Sequence, residues 1–556
     1  MADVFASEAG SGAANGTSPA NAWAVSSIPW SSILGDDLYL LGEIVTTIIP
    51  NAGGTQESER ITIRGDWPGN RGRLFGGVSK GPSDWTNDTG NLWYTPITPM
   101  TLLETPKVIS WGVFGRLYEQ DSIKFCINVL KYQSDDTDKS DLTSQGQVWI
   151  DRPNDLFYIY SVDNPSNFYE SVYLPEKQMM FYVDGFSYFT LKGLTVSHAS
   201  NTGLRFRNSL YAIVEDNRVS YCGGNLQNIL EPTRSAQGNG VTFMRNSDGL
   251  TVRRNHFSQC FDEGCSIQLA GATNIETSNG GLMEDNVCDR NVAGLGVVTN
   301  VEFAGHEASV IIRNNIITNC GYGWTGYEKN AHHGTGLKAT QGVGGNTYVE
   351  AYGNIIDTYA WRGADINGAE VYFHDNLFIN GKVDYANEAG SNDKGFHAAI
   401  RCISNEGTQD DYDEIRGTIE NNLILNQEGS GISIINTTPV EPLVIRNNRI
   451  ENCGYGVNGD EVFAAIRSTL SNNVAFTRNT VVQNGDLKFT VMNLSNGGLF
   501  SESNYNSWTN TDSPSWDYGA STVYESLAAW QSGTGWDTNS TENDPFANTF
   551  GTFAVG

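Results

Sequence analysis

Along residues 211–484 the apolar side chains recur at fixed distances from an asparagine, at neither a helical period nor a plain alternation. The phrase reads VEDNRV, VRRNHF, MEDNVC, IRNNII, AYGNII, FHDNLF, IENNLI, IRNNRI and FTRNTV. Its constant member is Asn217, Asn255, Asn286, Asn315, Asn354, Asn376, Asn422, Asn448 and Asn479. Three residues earlier stands Val214, Val252, Met283, Ile312, Ala351, Phe373, Ile419, Ile445 or Phe476, and two residues later Val219, Phe257, Cys288, Ile317, Ile356, Phe378, Ile424, Ile450 or Val481. Hydrophobic residues are 39% of the chain, so agreement at every one of these positions marks a repeat. Intervals of 22 to 46 residues exclude a rigid helical repeat and predict coils of short strands whose loops vary in length.

Such a coil buries its inner apolar row only by stacking on the next, about 4.8 Å away. Asparagine at equivalent turns predicts a ladder of amides bonded coil to coil, and asparagine also tolerates a left-handed turn backbone. The phrase resembles the repeat of right-handed parallel β-helices, the pectate-lyase-like superfamily. That resemblance implies an all-β, right-handed parallel β-helix.

Turn and strand grammar divides the rest. Residues 1–80 read as an N-terminal cap and first coils, through DDLYLLGEIVT and ERITIRGDWPG. Residues 81–180 break the repeat with Trp85, Trp93, Tyr94, Trp111, Trp149, Phe157, Tyr158 and Tyr160, and predict an inserted small β subdomain with a hairpin turning at Arg152–Asp155. Residues 181–505 form the main helix. In the tail, 506–556, Thr522 and Glu525 predict a capping box and one short helix.

A formal net charge of -29 argues against nucleic acid or an anionic membrane as the main partner. No apolar run is long enough to span a membrane. MADVFASEAG lacks the basic start and apolar core of a signal peptide, so for an extracellular or virion protein a signal has been removed or export takes another route. Of eight cysteines, Cys222, Cys260, Cys320 and Cys453 each lie five residues after a ladder asparagine, which predicts buried thiols rather than bridges. No CxxC or HExxH spacing supports zinc, and no cofactor is expected; SDDTDKSD (134–141) reads as a solvated loop, with structural calcium as the alternative.

A further strand follows each phrase: GCSIQLA, GLGVVT, GLKAT, GADING, HAAIRCIS, GISII and FAAIRST. Alternation turns Ile267, Leu269, Leu337, Ala339, Ile366, Ile400, Ile432 and Ile434 inward. It leaves Gln268, Lys338, Asp365, Asn367, Arg401, Ser433 and Arg467 on one exposed ribbon. Long loops at 299–309, 321–334, 381–395 and 404–414 predict groove walls suited to an extended polymer. Hydrolysis of a glycosidic bond needs a carboxylic acid and a carboxylate; the candidates are Asp262, Glu263, Glu302, Glu328 and Asp365, with His333 as a further catalytic group. Elimination from a uronic acid needs a cation and a base, offered by Lys338, Arg401, His332 and His333. Gln268, His306, His332, Lys338, Arg362, Asn367 and Arg401 are the expected substrate-binding residues.

Polygalacturonases of this superfamily carry Asn-x-Asp, Asp-Asp, Gly-His-Gly and Arg-x-Lys in that order. Gln409-Asp410-Asp411 is similar to the second, but no histidine follows it, and Gly305-His306-Glu307 comes earlier, so those roles do not transfer. In architecture the chain resembles phage tailspike depolymerases and related glycan-degrading β-helix enzymes. The resemblance implies an endo-acting depolymerase of an acidic bacterial or algal exopolysaccharide or capsule, with hydrolysis preferred because acidic candidates outnumber basic ones. A uronate lyase and a non-catalytic carbohydrate-binding adhesin are the alternatives, and the tailspike likeness implies a homotrimer.

Overall fold

Each asparagine phrase folds as two short strands bent at the asparagine, as in Asn346–Tyr352 followed by Ile355–Tyr359, and a third strand such as Arg362–Asn367 completes the coil. The computed structural model describes residues 2–97, 114–117, 139–151, 154–175, 177–223, 225–226, 236–269, 275–299, 305–322, 334–342, 344–383, 397–404, 415–435, 442–456, 463–469, 473–493, 500–510, 514–518 and 522–542. Strands before the asparagine stack into a 15-stranded leading sheet, those after it into a 13-stranded middle sheet, and the third strands into a 13-stranded ribbon sheet. With 53% strand and 7% helix the chain is an all-β parallel β-helix.

The predicted apolar rows lie in register. Val214 pairs with Val252, then Met283, Ile312, Ala351 and Phe373, and all are fully buried. Inside the coils the nine asparagines form one continuous ladder. Asn315 Nδ2 donates to Asn354 Oδ1 at 2.9 Å, and Asn315 Oδ1 accepts from both the Nδ2 (3.0 Å) and the backbone N–H (2.9 Å) of Asn286. A tenth rung, Asn506, accepts from Asn479 Nδ2 at 3.3 Å and donates to Asp537 Oδ1 at 2.8 Å.

The left-handed backbone is not at the ladder asparagine, as the sequence suggested, but at the residue before it: Asp216, Arg254, Asp285, Asn314, Gly353, Asp375, Asn421, Asn447, Arg478 and Tyr505 all have φ between 53° and 65°. The exposed preceding residue turns the chain, which leaves the asparagine side chain pointing inward to bond its neighbours.

Strands Asp3–Ser7, Asp37–Leu41 and Ile61–Arg64 join the leading sheet, and Arg73–Phe75 joins the middle one. The chain then leaves the solenoid and returns at Met179–Asp184 in the ribbon sheet, so the intervening segment is inserted within a single coil. Its antiparallel strands, including Val148–Asp151 with Leu156–Tyr160, close over their own core of Trp85, Phe157, Ile159, Tyr169 and Leu174. At the other end Trp508, Trp516, Trp530 and Trp536 pack with Phe489 and Phe500 over the last coil. The tail helix runs Leu527–Thr534, and its cap is Ser526, whose hydroxyl accepts from the Ala529 N–H at 3.2 Å. Thr522 does not cap it, because Thr522–Tyr524 pairs antiparallel with Trp516–Tyr518.

All seven described cysteines are free, buried thiols, Cys222, Cys260, Cys320 and Cys453 among them. Ile267, Leu269, Leu337, Ala339, Ile366, Ile400, Ile432 and Ile434 line the core, leaving the alternate positions on the outer face.

Candidate active site on the ribbon sheet

Parallel pairing sets Ser266, Gly296, Lys338, Asp365, Arg401, Ser433 and Arg467 side by side on seven successive coils. Glycine occupies the corner where five of these strands begin, at Gly264, Gly294, Gly336, Gly363 and Gly431, and alanine the other two, at Ala399 and Ala465. A Cβ on Gly294, Gly336 or Gly363 would meet the next coil's carbonyl oxygen at 2.4, 2.4 or 2.5 Å, so no larger residue fits without moving backbone. Just before that corner stand Asp262, Glu263, Trp361, Arg362 and His397.

The Glu263 side chain is 1% exposed and its Oε1 accepts from Lys338 Nζ at 3.0 Å. Two coil steps, roughly 10 Å, separate their strands, and the bridge forms because the coil between carries Gly296 there. A Cβ on Gly296 would come within 3.2 Å of Glu263 Cγ. The backbone N–H of Glu263 donates to Asn239 Oδ1 at 3.0 Å, which ties this corner to the coil below.

One coil on from Lys338, Asp365 accepts from Arg362 Nη1 (2.7 Å) on one oxygen and from Arg401 Nε (2.6 Å) on the other. Arg401 Nη2 also donates to Asn367 Oδ1 at 3.2 Å, and Asn367 Nδ2 donates to Thr340 Oγ1 at 3.3 Å. The Trp361 ring lies under the Arg362 guanidinium, with that of Arg401 5.7 Å from its centroid.

Burial, reinforced by the neighbouring Glu263 carboxylate and opposed by Lys338, pushes the Asp262 carboxyl well above the usual carboxylate range. Burial alone would lower Lys338, but the charges of Glu263 and Asp262 outweigh it and keep the ammonium protonated. Burial alone would raise Asp365; Arg362 and Arg401 outweigh it and hold that carboxylate far below its ordinary range. Among the described residues the ribbon therefore carries Asp262, a carboxyl raised by burial, beside the carboxylate of Glu263 paired with Lys338, and one coil on from Lys338 the pairing of Asp365 with Arg362 and Arg401.

Among the expected site residues, the structure brings together Asp262, Glu263, Lys338, Arg362, Asp365, Asn367 and Arg401. Gln268 lies on the same face, three coils from Asn367 through Val298 and Thr340. His306 is elsewhere. It is fully buried in the turn before Glu307–Arg313, where its Nδ1 accepts from the Glu276 N–H at 3.1 Å, and its backbone oxygen accepts from the Asn346 N–H. Both oxygens of Asp365 are engaged by guanidinium groups, which suits it to hold cations rather than to exchange a proton. Glu302, Glu328, His332 and His333 lie outside the described residues, as does nearly all of the expected groove walls at 321–334, 381–395 and 404–414. Sequence reasoning missed Trp361, His397 and Asn239; the recurring corner glycine, here Gly363, was the available signal for Trp361, whereas Ala399 takes that place beside His397.

Among the described residues no group of three or more His, Cys, Asp or Glu is placed to hold a metal ion, and no helix is long and apolar enough to cross a membrane.

Residues 176–350 match the family described as right handed beta helix region. A search of curated proteins finds no match. Among solved structures, the chain is similar to XylC in complex with xylose at 11% identity, TM-score 0.45, covering 98% of this chain and 86% of that one. It is similar to pectate lyase Pel9A at 12% identity, TM-score 0.42, covering 78% and 77%. The tailspike protein of E. coli bacteriophage HK620, in complex with a pentasaccharide, is matched at 12% identity and TM-score 0.32, covering 60% and 58%. With its three long parallel sheets and the family match within the repeat, the chain folds as a right-handed parallel β-helix.

Proposed function

We propose that this protein is a carbohydrate-active enzyme that hydrolyses glycosidic bonds of an acidic polysaccharide laid along the ribbon. The observation that carries the reading is the Asp262–Glu263–Lys338 cluster. One of its two carboxyls is raised by burial and the other is ion-paired to an ammonium, so the cluster offers the acid and the carboxylate that hydrolysis of a glycoside uses. Asp262 donates its proton to the leaving oxygen, while Glu263, ion-paired to Lys338, stabilises the developing positive charge or activates water. Lys338 keeps Glu263 in place and is itself too strongly held in its charged form to serve as a base. Among the described ribbon residues Lys338, Arg362, Arg401 and Arg467 outnumber Asp262, Glu263 and Asp365, which in a chain of net charge -29 supports an anionic substrate.

Elimination is the second reading, favoured by the closely placed Arg362 and Arg401, which suit a uronate carboxylate. A panel of acidic bacterial and algal polysaccharides separates the two. Hydrolysis releases reducing ends without the ultraviolet absorbance of an unsaturated uronate, and an absorbance rise replaces the hydrolase reading with a lyase. Tight binding with no cleavage of any polymer on the panel makes the protein an adhesin.

A further inference from the structure

Asp262 and Glu263 occupy one end of the ribbon; its other end carries a separate polar cluster. Ser433 stands on the outer row directly between Arg401 and Arg467 on the neighbouring coils. The serine is fully buried, and its hydroxyl has no hydrogen-bond partner. One corner away His397 is 4% exposed, and neither ring nitrogen has a hydrogen-bond partner. Its ring meets Phe463 edge-on at 6.2 Å. Burial first, then Arg362 and Arg467, push the imidazole down to about 3, so at neutral pH it is uncharged and offers one donor and one acceptor, neither used. An unpaired buried polar group costs about 1–3 kcal/mol, and three such atoms beside two guanidinium groups are the complement of a polar, negatively charged ligand. The unpaired hydroxyls of Ser266 and Thr335 continue the same face toward Glu263.

We infer that His397, Ser433 and Arg467 form a second subsite for an anionic substituent of the polymer, a uronate carboxylate or a sulfate ester, whose sugar hydroxyl pairs with the imidazole. Four to six coil steps separate its residues from Glu263, through Ala293, Thr335, Arg362, Ala398 and Ser430 to the strand of Arg467, which is roughly 19–29 Å and several sugar units along an extended chain. The subsite rests on the reading that an acidic polymer lies along the ribbon, but not on how that polymer is cleaved.

Its test is therefore binding. Titration calorimetry of the whole protein with hexamers of galacturonic acid, with sulfated galactan hexamers and with neutral cellulose hexamers compares the parent with Ser433→Ala, His397→Gln and Arg467→Gln. The expected result is a roughly tenfold weaker affinity of all three variants for one charged hexamer and no change for the neutral one; which charged hexamer responds identifies the substituent. Ser433→Ala removes only a hydroxyl and keeps the test sound should either larger change impair folding. Equal affinities of parent and variants, an equal loss on the neutral hexamer, or no binding of any hexamer by the parent overturns the subsite. Binding that responds as expected while no polymer is cleaved keeps the subsite and removes the hydrolase.

Discussion

Replacing Asn315 by alanine in the middle of the ladder tests what joins one coil to the next. The amide makes five hydrogen bonds: two accepted from Asn286, and three donated to Asn354 Oδ1, Met283 O and Arg313 O, all between 2.9 and 3.0 Å. Some of its partners keep other bonds, since Asn286 Nδ2 still reaches Val252 O and Asn354 Oδ1 still accepts the residue 315 N–H. The Asn286 backbone N–H does not, and a buried orphan of that kind costs about 1–3 kcal/mol. One or two net bonds at about 1 kcal/mol each bring the expected loss to about 2–4 kcal/mol. Urea unfolding of parent and Asn315→Ala at matched slope measures it. Neighbouring Asn314 is the internal control. It is exposed with φ 56°, so Asn314→Gly is expected to fall within about 0.5 kcal/mol of the parent and Asn314→Val to lose about 1–2 kcal/mol. If Asn315→Ala loses under about 1 kcal/mol, the ladder is not what ties the coils together.

Asp262→Asn is expected to lower polysaccharide cleavage roughly a hundredfold or more while binding stays near that of the parent, which reducing-end release and calorimetry read separately. Lys338→Met removes the ammonium that Glu263 Oε1 accepts from and leaves a buried carboxylate without its partner, so cleavage should fall roughly tenfold or more; cleavage equal to the parent's would show that the pair is not part of the site. Gly336→Ala drives a Cβ to 2.4 Å from the Gly363 oxygen and should cost at least about 1–3 kcal/mol, whereas Gly296→Ala meets only the Glu263 side chain and should reduce activity with little loss of stability. His397 has a folded-state value of about 3, below its unfolded value, so the unfolded chain binds the extra proton: its contribution to stability is complete above about pH 6.5 and drains away as pH falls toward 3, by up to about 1.4 kcal/mol per pH unit. The stability difference between parent and His397→Gln should narrow over that window and stay constant above it.

The ladder and its two apolar rows were legible because each obeys a fixed offset from one residue type. Asn506 escaped because Ser503 replaces the apolar residue three before it; that serine donates to Asp537 instead of packing in the core. Alternation sufficed to place Lys338, Asp365, Arg401, Ser433 and Arg467 on one row, since period two and parallel register leave no other arrangement. The meeting of Glu263 with Lys338, 75 residues apart, was not legible. It depends on which coils are neighbours and on the absent side chain at Gly296. His306 was misplaced because a long loop in the sequence says nothing about which of its residues folds back into a turn.

Every rung of the ladder donates toward the C-terminus, from Asn217 through Asn479 to Asn506, so the amide dipoles all point the same way. The last donor meets the buried carboxyl group of Asp537, which also receives Trp530 Nε1 at 2.9 Å. A column of aligned dipoles thus finishes on an anion at its positive pole, as a helix N-terminus does. The two ends of the molecule are chemically unlike. A second copy stacked beneath the last coil would have to displace Asp537, which makes this terminus a stop against end-to-end fibre growth.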